Sequence, residues 1–122
     1  MLGRKPKLVN RRNNKVYDLS IGRDSRWGNR SILSDASNNL ERDAVCDSHD
    51  IQLTHQILSG EVTIDDLLSL EGKTLGCWCV PKRCHGHNII RRVVWARNLQ
   101  NKIDKYLEKK RCSRKSKSRT CD

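Results

Sequence analysis

The chain has 122 residues, enough for one small domain and too few for two ordinary ones. Hydrophobic residues make up 35% and charged residues 32%, and the mean hydropathy is −0.78, so any core is lean and the ends contribute little to it. No window approaches a transmembrane span and "MLGRKPKLVNRRNN" lacks an apolar signal region, which argues against a membrane or secreted protein and for a reducing, cytoplasmic setting in which disulfides are rare.

The net charge of +11 sits at the ends. Residues 1–17 hold six Lys or Arg and no acid, residues 109–122 hold seven and one acid, and the middle of the chain is close to neutral. Basic ends of this kind attract polyanions by releasing counterions, without reading sequence, or simply stay solvated.

In chain order, "KVYDLSIGR" (Lys15 to Arg23) predicts a strand ended by Gly22. "RDSRWGNRSILSDASNN" follows as a long polar loop. Apolar spacing then predicts a helix over Asp50 to Ser59, stopped by Gly60. Thr63, three residues before Asp66, predicts a second helix start. "EGKTLGCWCV" reads as a turn and a strand over Lys73 to Val80. From Ile89 to Tyr106 apolar residues recur every three or four positions, which predicts an amphipathic helix from His85 to Lys109. The remaining "KKRCSRKSKSRTCD" has no such pattern and is expected to be disordered. A third strand is expected near Ser31–Leu33 or Leu2–Val9. The pattern is that of a small single α/β domain: a short, mostly parallel sheet flanked by helices, with a long C-terminal helix. The expected division is a basic N-terminal arm over 1–14, the domain over 15–109 and a basic tail over 110–122.

Two segments follow predicted strands, where ligands of open parallel sheets bind. The first is "GCWCVPKRCHGH". Cys77 and Cys79 share a face of the strand, with Trp78 opposite, and Cys84 and His85 fall at the start of the long helix. Three readings stand. Cys77, Cys79, Cys84, His85 and His87 include enough ligands for zinc, although C-x-C spacing within one short run is unusual for a structural site. Alternatively, Cys84 is a reactive thiol, acidified by the helix N-terminus, Arg83 and His85, with His85 as its acid/base partner. In the third reading the cysteines only pack. Cys46, Cys112 and Cys121 read as free thiols with no role. The second segment is "IGRDSRWGN". Gly22 and Gly28 permit close backbone approach, Arg23 and Arg26 offer planar donors to phosphate, Trp27 offers a stacking face and Asn29 a polar fork, all of which suits a nucleotide or nucleic acid. The alternative is a turn with a buried Trp.

Together, "YDLSIGRDSRWGN" (Tyr17 to Asn29) and "LEGKTLGCWCVPKRCHGHNI" (Leu70 to Ile89) resemble domain-of-unknown-function family 4326 of phages and bacteria. Its members pair an "IGR-x-S-K/R-WGNPF" stretch with "L-x-GK-x-LGCWC-x-P-x-x-CHGD". The resemblance covers about residues 16–95 and implies a small α/β domain, in the host cytoplasm if phage-encoded, with no reaction attached. The chain departs from the pattern at Arg30 and Ser31, in place of Pro and Phe, and at His87, in place of the acid. That acid is either a catalytic base or a helix cap. Three functions stay open: a module that binds a nucleotide or nucleic acid through Gly22, Arg23, Arg26, Trp27, Gly28 and Asn29 together with the Cys84–His85 turn; an enzyme on such a ligand using Cys84 and His85; and a structural zinc protein.

Overall fold

The computed structural model describes residues 3–23, 25–35 and 37–114. The elements run β1 (Lys7–Asn10), β2 (Leu19–Ser20), α1 (Asn39–Leu58), α2 (Ile64–Leu68), β3 (Thr74–Cys77) and α3 (His85–Arg114). The sheet is parallel throughout, in the order β1-β3-β2. The domain is thus α/β as expected, with the third strand at Lys7–Asn10 and not at Ser31–Leu33. Both expected strands are shorter than their sequence patterns, with only Leu19–Ser20 and Thr74–Cys77 in the sheet. The N-terminal arm over 1–14 is corrected as well: residues 7–10 form an edge strand of the domain.

Register explains both faces of the sheet. Leu8, Leu75 and Leu19 align across the three strands, and Ile21 and Cys77 extend that side by the period of two. Leu75, Ile21 and Cys77 are buried there with Ile89, Val93 and Ala96 of α3 and Leu53 of α1. Each such side chain contributes about 1.5–3 kcal/mol by leaving water. α3 reaches the sheet closely because Gly86 has no Cβ: one there would lie 2.6 Å from Leu8 Cδ2 and 2.7 Å from Ile21 Cδ1. On the other side, Val9, Gly76 and Ser20 align. The β1–β2 connection crosses this face, and its Tyr17 ring fills the place of a Gly76 side chain, 2.8 Å from where a Cβ would sit.

The helices start where side chains satisfy their first N–H groups. Asn38 accepts from the Glu41 N–H and opens α1. Thr63 and Asp66 form a reciprocal capping box on α2, as the Thr63 spacing predicts. α1 begins eleven residues earlier than expected. Its inward stripe explains why: the buried positions are Arg42, Cys46, His49, Leu53 and Gln56, at helical spacing but mostly polar. α3 continues to Arg114, beyond the expected end at Lys109, so the 110–122 tail is helical at its start; residues 115–122 and Cys121 lie outside the described residues. Cys112 is disulfide-bonded, against the expectation of a free thiol. Among the described residues no helix is long and apolar enough to cross a membrane.

Candidate functional site

The loop after β2 and the turn after β3 meet. A cavity of about 200 Å³ lies beyond the C-terminal ends of β2 and β3, the place where parallel sheets bind ligands. Gly22, Arg23, Asn29 and Ser31 come to it from the first segment, and Cys77, Trp78, Cys79, Cys84 and His85 from the second. α1 closes it with Arg42, Val45 and Cys46.

The "IGRDSRWGN" residues divide by position. Ser25 N–H and Oγ–H both donate to the Gly22 carbonyl, at 3.0 and 2.8 Å, and tighten the turn. Gly28 crosses this turn so closely that a Cβ would lie 2.7 Å from Gly22 O and 2.9 Å from Arg23 Cα. Trp27 is 5% exposed and packs in the core, so it has no free face for a base. Asn29 donates to the Val45 carbonyl at 2.9 Å and accepts from Ser31 N–H at 2.9 Å, which spends its amide on holding the loop to α1. Arg26 reaches away to Asp66 (3.3 Å) and the Glu61 carbonyl. Arg26 and Gly28 instead line an open hollow beside the cavity, with Arg23 and Asn29 shared between the two. Arg23 is exposed at that junction, and its guanidinium makes no hydrogen bond or ion pair with the described residues.

Cys84 is the N-cap of α3. Its Sγ accepts from Gly86 N–H at 3.4 Å. His87 stands at the third helical position, with Nδ1 3.1 Å from Cys84 N–H, the place of the acid in a capping box. The residue that replaces the family's acid is therefore exposed and caps the helix; it does not reach the cavity. Cys84 Sγ also lies 3.6 Å from His85 Nδ1, and His85 Nε2 is 2.7 Å from the Ile21 carbonyl. A neutral His85 therefore carries its proton on Nε2 and presents Nδ1 as an acceptor to the Cys84 thiol.

The three turn cysteines line one cavity and influence one another's acidity, with Cys84 the shared neighbour. Their acidities diverge. Cys77 is pulled down to about 6 by its hydrogen bond with Cys84, against burial, with help from the Val80 and Cys79 backbone. Cys79 is also pulled down to about 6, again mainly by Cys84, with burial opposing and the Arg42 guanidinium assisting. Cys84 is pushed up by those same two hydrogen bonds and by burial. In contrast to the expected thiolate, Cys84 keeps its proton, for which His85 Nδ1, Cys77 and Cys79 are alternative acceptors. Arg83, expected to acidify it, spends its charge on Asp43 (3.1 Å) and Asp47 (2.7 Å) of α1. The zinc reading of Cys77, Cys79, Cys84, His85 and His87 also lacks its geometry. Among the described residues no group of three or more His, Cys, Asp or Glu is set to hold a metal ion.

Residues that the sequence reading left out complete the site. His49, 1% exposed, meets His85 edge to face with ring centroids 4.9 Å apart, and its Nδ1 accepts from Asn88 at 3.2 Å. Burial first, then His85, lowers its pKa to about 4, so it is neutral. Burial likewise lowers His85. Trp78, 50% exposed, stands at the cavity rim with the Arg11 guanidinium 4.6 Å from its ring centre. The signal for Arg42, Cys46 and His49 was their i, i+4, i+7 spacing, which is legible only once polar residues are allowed on an inward stripe.

A three-stranded parallel sheet carrying a Cys–His–Arg cleft at its strand ends defines the class of protein. The chain belongs to the family described as "Domain of unknown function (DUF4326)", whose model matches residues 7–95. It is also 37% identical over 93 residues to an "Uncharacterized 12.4 kDa protein in nrdA-td intergenic region" of Enterobacteria phage T4, covering 76% of this chain and 81% of that protein. No solved structure matches.

Proposed function

We propose that the cleft binds a single nucleotide unit, free or at an exposed position of a nucleic acid. The observation that carries this reading is the pairing, at one cavity mouth, of an exposed aromatic face (Trp78) with an exposed guanidinium (Arg23) that the described residues leave uncommitted. The base stacks on Trp78 and the phosphate meets Arg23, with Arg42 adding positive charge from the cavity wall. The cavity suits one base or sugar-phosphate and is too small for a dinucleotide. The basic segments at both ends supply non-specific attraction for a longer strand.

Titration of Trp fluorescence with mononucleotides, inorganic phosphate and short single strands tests this. Trp78→Ala is expected to weaken mononucleotide binding by about 5- to 100-fold, the loss of one stacked base, and to leave phosphate binding unchanged. Arg23→Ala is expected to weaken both. No binding of any nucleotide at millimolar concentration, or affinities that ignore both substitutions, overturns the reading.

A further inference from the structure

The cleft floor holds chemistry that nucleotide binding does not use. Three thiols are grouped there, yet they differ in access. Cys77 and Cys84 are each 1% exposed, whereas Cys79 is partly exposed at the cavity. Cys79 lies past the end of β3, on the turn residues 78–84, where its carbonyl accepts from the Lys82 N–H at 2.9 Å and Asn10 donates to the Val80 carbonyl at 2.7 Å, so the turn is held while the side chain faces the cavity. It lines the same cavity as Arg42 and Cys84, both of which act on its thiol electrostatically. Cys84 in turn has an acceptor nitrogen 3.6 Å away, His85 Nδ1. The arrangement is an accessible thiol facing a cation across the cavity, a buried second thiol in the same wall, and a base on that second thiol.

We propose that Cys79 and Cys84 form a dithiol–disulfide pair, in which Cys79 is the attacking thiol and Cys84 the resolving thiol, and that the cavity admits a low-molecular-weight disulfide as oxidant. In the first step the Cys79 thiolate attacks one sulfur of the small disulfide. The Cys79–S bond forms, the S–S bond of the oxidant breaks, and one thiolate leaves with the electron pair. In the second step Cys84 Sγ gives its proton to His85 Nδ1 and attacks Cys79 Sγ. The Cys79–Cys84 bond forms and the second small thiolate leaves. The proton on His85 passes to that thiolate, and the proton originally on Cys79 has gone to the first. Two electrons move from the protein pair to the oxidant, and one disulfide becomes two thiols. Closure brings the two sulfurs to about 2.05 Å. This pair acts whether or not a nucleotide occupies the mouth of the cleft.

The test uses the full chain, glutathione disulfide as the probe, and peptide mass mapping as the readout. Wild-type protein is expected to yield a Cys79–Cys84 cross-link, and Cys84→Ser to stop at glutathione on Cys79. Arg42→Gln is expected to slow attack at Cys79 about tenfold, and His85→Ala to let the mixed disulfide accumulate in the otherwise wild-type chain. Substoichiometric iodoacetamide is expected to label Cys79 before Cys46, Cys77 or Cys84. Circular dichroism confirms that each variant is folded, and Cys84→Ala serves where the serine variant is not. Glutathione that stays on Cys79 of the wild type overturns the resolving role of Cys84. Labelling that falls first on another cleft cysteine, or evenly on all of them, overturns the attacking role of Cys79.

Discussion

Gly28 and Gly76 allow close approach, and each has a named neighbour. A Cβ on Gly28 meets backbone, Gly22 O and Arg23 Cα, and neither can step aside. A Cβ on Gly76 meets the Tyr17 ring and Arg11 Cγ, side-chain atoms that can shift by a few tenths of an ångström. Gly28→Ala is therefore expected to cost more stability than Gly76→Ala, with losses of about 1–3 kcal/mol for an overpacked site. Thermal denaturation of the two variants checks the order. The reverse order would mean that the loop crossing at Gly22 relaxes more easily than the packing of the β1–β2 connection. At this scale sequence reading reached the positions and missed several roles. Gly28 marks a close approach, onto the Gly22 carbonyl. Trp27 and Asn29, however, have the residue types of a ligand site and are spent on the core and on the Val45 carbonyl. A residue type states what a side chain can do, and only its neighbours state what is left for it to do.

Among the elements, α1 is the informative one. Its inner stripe presents Arg42, Cys46 and His49 to the start of α3, so the joint between the two helices is polar, with uncharged histidines beside the Arg42 cation. His49 has a pKa of about 4 in the folded protein, below the ordinary histidine value of 6.5, because burial disfavours its charged form. A histidine depressed in this way is neutral in both states above 6.5. Below that, the unfolded chain takes up a proton that the folded one refuses, so stability falls as pH drops from 6.5 towards 4. The loss from His49 is on the order of 3 kcal/mol across that window, and His85 acts in the same direction. Urea unfolding at pH 7, 5.5 and 4.5 is expected to show this decline, and His49→Gln to flatten it. An equal decline in the variant would assign the acid sensitivity to other groups. The same stripe explains the late start predicted for α1. Residues 42–49 carry no apolar period; their helical period is written mostly in polar residues.

The whole molecule is a nearly neutral core with basic material at both ends, and the two ends differ in kind. The N-terminal basic residues flank or occupy β1, whose pairing with β3 makes them part of the domain. The C-terminal ones up to Arg114 continue a helix about 45 Å long. Truncation therefore differs between the two ends. Deleting residues 115–122 removes Lys115, Lys117 and Arg119. On the proposed reading it also weakens single-strand binding and lowers the slope of log affinity against log salt by about 2. Fluorescence polarisation across a salt series measures this, and an unchanged slope would remove the tail from the interface. Deleting residues 3–14 is a different experiment, since it takes an edge strand from a three-stranded sheet.

By itself the sequence determined the class of fold, the capping of α2, the start of α3 and the membership of two motifs in one family pattern. Each of these is written in local spacing: a period of two or of three to four, a Thr three residues before an Asp, a fixed order of Trp, Cys and His. Only the tertiary structure decided which of the singled-out residues face the cleft. It brought Arg23 to Cys84, turned Trp27 inward and Trp78 outward, and supplied Arg42 and His49 from a helix with no motif at all. It also moved the acidic thiol from Cys84 to its neighbours. The physical reason is common to all four. Acidity, exposure and spare hydrogen-bonding capacity depend on atoms that are distant in the chain and become neighbours only when the strands and helices pack.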